Sequence, residues 1–245
     1  PGLQARATPR WGCSAPRVRR SIPSTVPDTM RDADTDSAAC AIPAGPLAPP
    51  TLPAHRRAET LLAWHRAHHG PEAPVWVFGY ASLIWRPEFD AVERRPARVT
   101  GWHRCLRMQS RVNRGTPERP GLVFALVNGG ACRGFVYRLP PDDLPGQFQR
   151  LWAREMAIGV YDPRWLQAQT PEGPVPALAF TLSRRSPQWT GPIPDPQMLD
   201  ILRHARGRFG TTLDYLLQTA GALRAHGVHD REIERLVRLA RQHGL

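Results

Sequence analysis

The sequence predicts an α+β domain built on a small, mixed or antiparallel β-barrel-like sheet, from three observations. Strand signals dominate residues 75–139; a strongly amphipathic helical stripe at 142–157 interrupts them before a second strand pair; and residues 195–243 read as helices. Strands first, with helices inserted and appended, is the pattern of an α+β domain rather than of alternating βα units. At 245 residues the chain is long enough to bury a sizeable core. The expected organisation is an N-terminal extension over 1–54 and a single folded domain over 55–245.

Residues 1–50 hold nine of the 27 prolines and one aromatic residue, Trp11. Such a stretch buries too little apolar area to offset its ordering entropy, so it is expected to be disordered. Residues 55–69, HRRAETLLAWHRAHH, read as a helix ended by Gly70 and Pro71. His65, His68 and His69 fall at i, i+3 and i+4, a metal-face spacing, but with no carboxylate beside them the reading preferred is a solvated face.

Next come strands at 75–80, 97–106, 121–128 and 132–139, the last two joined by Asn128-Gly129-Gly130-Ala131, a hairpin-turn signature. The first strand poses a question. In FGYASLIW (78–85) the run of strand formers is broken by Gly79, Ala81 and Ser82 before Leu83-Ile84-Trp85 resumes it. Either a bulge bends the strand or something approaches the bare main chain there. After the helix at 142–157, segments 165–169 and 175–183 form a strand pair around Glu172-Gly173-Pro174, and the terminal helices break near Gly210 and Gly227.

The helix at 142–157 carries the most chemical information. Asp142 is placed to cap it and Pro145 falls in its first turn. Leu144, Phe148, Leu151 and Trp152 recur at core-facing spacing. At about 100° per residue, Glu155 falls roughly 20° from Leu144, inside the apolar stripe. An ionised carboxylate there is costly unless it is paired or its pKa rises. Periodicity leaves two readings open: Glu155 reaches solvent or an arginine near the helix end, or it is an acid/base carboxylate in a half-apolar pocket.

All 33 basic residues are Arg, and with 21 acidic residues the formal charge is +12. That balance could favour a polyanion, but the arginines are scattered rather than clustered, so nucleic-acid binding is not expected. Cys13, Cys40, Cys105 and Cys132 make no zinc or disulfide pattern, no apolar run is long enough to span a bilayer, and no secretory signal is evident. A reducing, cytoplasmic setting with no membrane association is the residual expectation. The sequence contains no GxSxG elbow, Walker loop or GxGxxG, and Ser82 lacks the glycine flanks of a nucleophile.

Taken together and in order, VFGYASLIW, RGTPERPG (114–121), LWAREM (151–156) and Gly191-Pro192 resemble the ChaC-like, glutathione-specific γ-glutamylcyclotransferases, from about Val75 to the C-terminus. The resemblance implies a barrel-like α+β fold and the cleavage of glutathione to 5-oxoproline and cysteinylglycine, without a metal or organic cofactor. It implies a substrate loop of Gly79, Tyr80, Ala81, Ser82, Leu83 and Ile84 holding the γ-glutamyl group, and a catalytic glutamate that maps onto Glu155. The family's usual loop has Gly where this chain has Ala81, a departure that would cost most if the position needed a positive φ. Arg114 and Arg119 are candidates for a fork on the substrate's glycine carboxylate, or else surface arginines. Tyr215 is either a pocket residue or a core aromatic. A cyclotransferase for other γ-glutamyl amines or peptides, and a non-catalytic binding module on the same scaffold, are the alternatives.

Overall fold

The structure, a computed structural model, describes residues 54–245, with side chains from Arg57 onward; the expected disordered extension, Met30, Cys13 and Cys40 lie outside the described residues. In order, the elements are α1 (Ala54–His69), β1 (Trp76–Gly79), α2 (Ser82–Trp85), β2 (Glu93–Ser110), β3 (Gly121–Arg138) and α3 (Leu144–Glu155). They continue with β4 (Asp162–Thr170), β5 (Gly173–Thr181), α4 (Asp195–His204), the two-residue strands β6 (Arg206–Gly207) and β7 (Gly210–Thr211), α5 (Thr212–Ala225) and α6 (Arg231–Gln242).

Five strands close into a barrel in the order β1-β3-β2-β4-β5. Closure comes from a short parallel pairing, Trp76 with Ala177 and Val77 with Leu178, while the other barrel pairings are antiparallel. The sheet is therefore mixed, as expected. Phe78, Leu126, Trp165, Leu178 and Phe180 are among the side chains sealed in its core. Closure pairs the two end strands of the sheet, β1 and β5, with each other.

Two expectations about the strands are corrected. Asn128-Gly129-Gly130-Ala131 is not a hairpin turn: β3 runs straight through it, paired with β2. Gly101, Gly129 and Gly130 have positive φ, and the register shifts between Thr100 and Trp102, so the glycines build a bulge inside a long ribbon. The reversal between β2 and β3 lies in 111–120, where a Cβ added at Gly115 would sit 2.0 Å from the Gly121 nitrogen. Nor does a strand resume at Leu83-Ile84-Trp85; β1 ends at Gly79 and the chain turns into α2.

In α3, Leu144, Phe148, Leu151 and Trp152 are buried as the spacing predicts, and Gln147 joins them, bonded to Asp90 and Asp143. Asp143 rather than Asp142 occupies the N-cap position, and it makes no side-chain cap bond because Gln147 and Arg150 hold its carboxylate. The predicted breaks stand: β6 and β7 fold back around Gly210, and Gly227 adopts φ 67° after α5. A reciprocal capping box between Thr211 and Asp214 starts α5.

The histidine face of α1 is not simply solvated. His65 is fully buried and stacks on Trp165 at 4.3 Å, and His68 stacks on Trp64 at 4.0 Å. Among the described residues, no group of three or more His, Cys, Asp or Glu side chains is arranged to hold a metal ion. Cys105 lies in a small apolar cluster with Met108, Ala125, Val127 and Leu182, and Cys132 is equally buried. No described helix is long and apolar enough to cross a membrane.

Candidate active site

The site forms where β1 ends. Gly79 is needed there for close packing, since a Cβ would meet the Tyr137 ring at 2.8 Å. Beyond it the chain leaves the sheet, and the N–H groups of Ala81, Ser82 and Leu83 make no backbone hydrogen bond. Tyr80 turns inward, its hydroxyl donating to the Phe180 carbonyl at 2.9 Å.

Tyr80, Ala81, Ser82 and Leu83 line a narrow recess, with Phe124, Glu155, Tyr161, Phe180 and Tyr215 as its other walls. Gly79 and Ile84, the remaining residues of the expected loop, do not line it; Gly79 packs on Tyr137 and Ile84 is buried in the core. Ala81 has φ −144°, so its methyl group does not face the left-handed backbone that would demand glycine.

Glu155, the last residue of α3, pairs with an arginine and also faces the recess. Its side chain is 13% exposed and faces the recess, and its Oε1 accepts from Arg154 Nε at 2.9 Å. Burial pushes its pKa up, Arg154 pulls it down, and the Glu88 carboxylate adds a smaller upward push. Desolvation is the largest of the three, so the carboxyl group holds its proton more tightly than a free glutamate.

Arg154, next to Glu155 in sequence, ties the site together. Besides Glu155 it donates to the Arg86 carbonyl and, at 3.1 Å, to Ser82 Oγ, and it pairs with Glu88 at 3.3 Å. Its position next to the stripe's carboxylate was the only sequence signal. Tyr161, Phe124 and Phe180 carried none, because single aromatics among apolar residues read equally well as core. Tyr215 is both, buried against Phe124 and part of the recess wall, its hydroxyl pushed up to about 12 by burial. Tyr80 and Tyr161 are likewise shifted upward by burial, so all three hydroxyls keep their protons.

The recess opens on a larger cleft that shares Ser82, Glu155, Tyr161 and Tyr215 with it. Arg86, Arg111, Arg114 and Arg208 give this cleft a cationic lining. Arg114 is partly committed: its Nη1 donates to the Phe209 carbonyl at 2.5 Å, and its guanidinium lies 5.1 Å from the Tyr215 ring. Arg119 is exposed and outside the cleft, so the two arginines do not form a joint fork.

A buried carboxyl group raised in pKa, beside unpaired main-chain donors, is an arrangement suited to moving a proton while stabilising a developing oxyanion. Comparison with known proteins gives the family. The ChaC-like protein family model matches residues 75–243. The chain is 35% identical to the glutathione-specific gamma-glutamylcyclotransferase of Escherichia coli K12, over 72% of this chain and 77% of that one. It is 29% identical to the human glutathione-specific gamma-glutamylcyclotransferase 1, over 74% and 83% of the two chains. A crystal structure of the yeast γ-glutamyl cyclotransferase specific to glutathione superposes with TM-score 0.62 at 20% identity, over 70% of this chain and 97% of that one, which speaks to the fold. With its matched segment and fold in agreement, the chain belongs to the ChaC-like family.

Proposed function

We propose that this protein is a γ-glutamylcyclotransferase that cleaves glutathione to 5-oxoproline and cysteinylglycine, with Glu155 as its acid/base. The observation that carries the reading is Glu155 itself, buried, raised in pKa and facing a recess walled by the loop 80–83. The family's curated relatives named above support the substrate.

In this scheme the γ-glutamyl arm occupies the recess and cysteinylglycine the outer cleft. The substrate's α-ammonium gives a proton to the Glu155 carboxylate. The freed amine attacks the γ-carbonyl carbon, and the N–H groups of Ala81 to Leu83 receive the negative charge on oxygen. Collapse breaks the bond to the cysteine nitrogen, which takes the proton held by Glu155 as it leaves, and the ring nitrogen gives its second proton to the carboxylate so freed, leaving the neutral lactam. The ring closes without consuming water. Holding the arm folded supplies the orientation term, which in intramolecular reactions is large.

A cyclotransferase for other γ-glutamyl amines or peptides is the second reading, favoured by one observation. The outer cleft includes Val112, Ile158 and Phe209, exposed apolar side chains for which cysteinylglycine offers little counterpart. Incubating the purified protein with glutathione, γ-glutamyl-alanine and γ-glutamyl-lysine, and quantifying 5-oxoproline, separates the two. Product from glutathione alone supports the first reading; equal or better turnover of the others supports the second; no product from any of them removes both.

A further inference from the structure

Arg104, on β2, touches neither the recess nor the cleft, and its side chain is only 1% exposed. Its Nη1 donates to the Tyr80 carbonyl at 2.5 Å and to the Arg133 carbonyl at 3.2 Å. Its Nη2 pairs with Asp230 Oδ2 at 2.7 Å. The other oxygen of Asp230 accepts from the Ile233 N–H at 3.1 Å as the N-cap of α6. One guanidinium thus joins two barrel strands, the start of the last helix and the first carbonyl of the substrate loop.

A buried ion pair is an expensive way to stabilise a fold, because desolvation offsets most of the attraction and apolar residues often do as well. What an arginine provides here and an apolar residue cannot is a fixed direction for the Tyr80 carbonyl. A trans peptide is planar, so its C=O and the following N–H point in opposite directions. With the Tyr80 oxygen drawn toward Arg104, outside the recess, the Ala81 N–H is turned to the opposite side of the loop, and it makes no backbone hydrogen bond. A cation on the carbonyl also polarises the peptide and strengthens its N–H as a donor.

We propose that Arg104, anchored by Asp230, is a positioning residue that fixes and polarises the Tyr80–Ala81 peptide, so that the Ala81 N–H is aimed in advance at the oxyanion formed on the substrate's γ-carbonyl. The assignment rests on the cyclotransferase reading above. Because Arg104 bonds Tyr80, Arg133 and Asp230 and is not among the groups that shift Glu155, its loss weakens a transition-state interaction without altering proton transfer.

The test is steady-state kinetics with glutathione on the full chain, for wild type, Arg104→Met, Arg104→Lys and Asp230→Asn, with the folded fraction of each measured by thermal melting. Loss of one oxyanion donor typically lowers kcat by about 10²–10³-fold. Arg104→Met is expected to lose about 10²-fold in kcat per folded molecule, with KM changed by less than about threefold and the pH at which kcat/KM half-declines unmoved. Arg104→Lys restores part of kcat, since an ammonium can still meet the Tyr80 carbonyl, and Asp230→Asn falls between Lys and wild type. A structural role alone would lower the melting temperature and leave kcat per folded molecule intact. Should Arg104→Met not fold, wild-type kcat in both Arg104→Lys and Asp230→Asn overturns the assignment, as would wild-type kcat in a folded Arg104→Met. If wild type itself makes no 5-oxoproline, the cyclotransferase reading falls and this assignment with it; if wild type turns over and the variants match it, only the role of Arg104 falls.

Discussion

Replacing Glu155 by Gln removes the one side chain in the recess that can accept and return a proton at neutral pH, while keeping the shape of the site. A free α-amino group titrates near ~8 and an unperturbed glutamate near ~4.3, so the first proton transfer is uphill by about 5 kcal/mol, and each unit of upward shift on the glutamate recovers about 1.4 kcal/mol. Burial supplies such a shift to Glu155 and Arg154 withdraws part of it. Glutamine supplies nothing, and positioned acid/base groups contribute about 10²–10⁴-fold, so kcat is expected to fall by that factor with KM little changed. Stability should move the other way. A carboxyl group whose folded pKa lies above its unfolded value of 4.5 favours folding fully below 4.5, and that contribution is lost as pH rises through the folded pKa. Above that window the glutamine variant escapes the penalty, and Arg154 keeps Glu88, Ser82 and the Arg86 carbonyl as partners. The variant should therefore melt above wild type at neutral pH and converge with it at the acidic end. Mass-spectrometric quantification of 5-oxoproline, with melts across the pH range, reads both effects. A kcat within about tenfold of wild type would refute the assignment of Glu155 as the acid/base.

Arg154→Met removes the charge that lowers Glu155 and the bond to Ser82, so the acidic limb of the kcat/KM profile should move to higher pH and kcat should fall; an unmoved limb would contradict the coupling. Ala81→Gly should leave turnover nearly unchanged, because Ala81 has a negative φ, and should cost about 0.5–1 kcal/mol of stability through the freer unfolded chain. A large gain in turnover would show instead that the methyl group obstructs substrate. His65, buried on Trp165 with His69 beside it, is lowered from 6.5 to about 4. Its contribution is complete above 6.5 and lost as pH falls toward 4, roughly 3 kcal/mol in all. His65→Phe should keep the stack and flatten the acid side of the melting curve, which an unchanged slope in that variant would deny.

Much of this site was legible because it depends on local periodicity. The stripe Leu144, Phe148, Leu151, Trp152 directed Glu155 inward, and α3 carries it there. Gly210 and Gly227 marked breaks because a positive φ is a local demand. What could not be read depended on partners distant in sequence. Asn128-Gly129-Gly130-Ala131 has the local chemistry of a turn, but pairing along β2 overrides it and uses the glycines to bend a continuous strand. Leu83-Ile84-Trp85 has strand propensity, but α2 packs on α5, where the Trp85 indole donates to Thr219 Oγ1 at 3.2 Å. Arg104 looked like any strand arginine until Tyr80 and Asp230 were brought to it from 24 residues before and 126 after.

The sealed cysteines bear on how this protein coexists with the substrate proposed for it. Thiol–disulfide exchange requires an accessible thiolate. Burial pushes Cys105 up to about 12 and Cys132 up to about 11, and each is only 1% exposed. Among the described residues there is thus no accessible thiol that oxidised glutathione can capture as a mixed disulfide, and the barrel's cysteines stay unmodified as the redox balance around it changes.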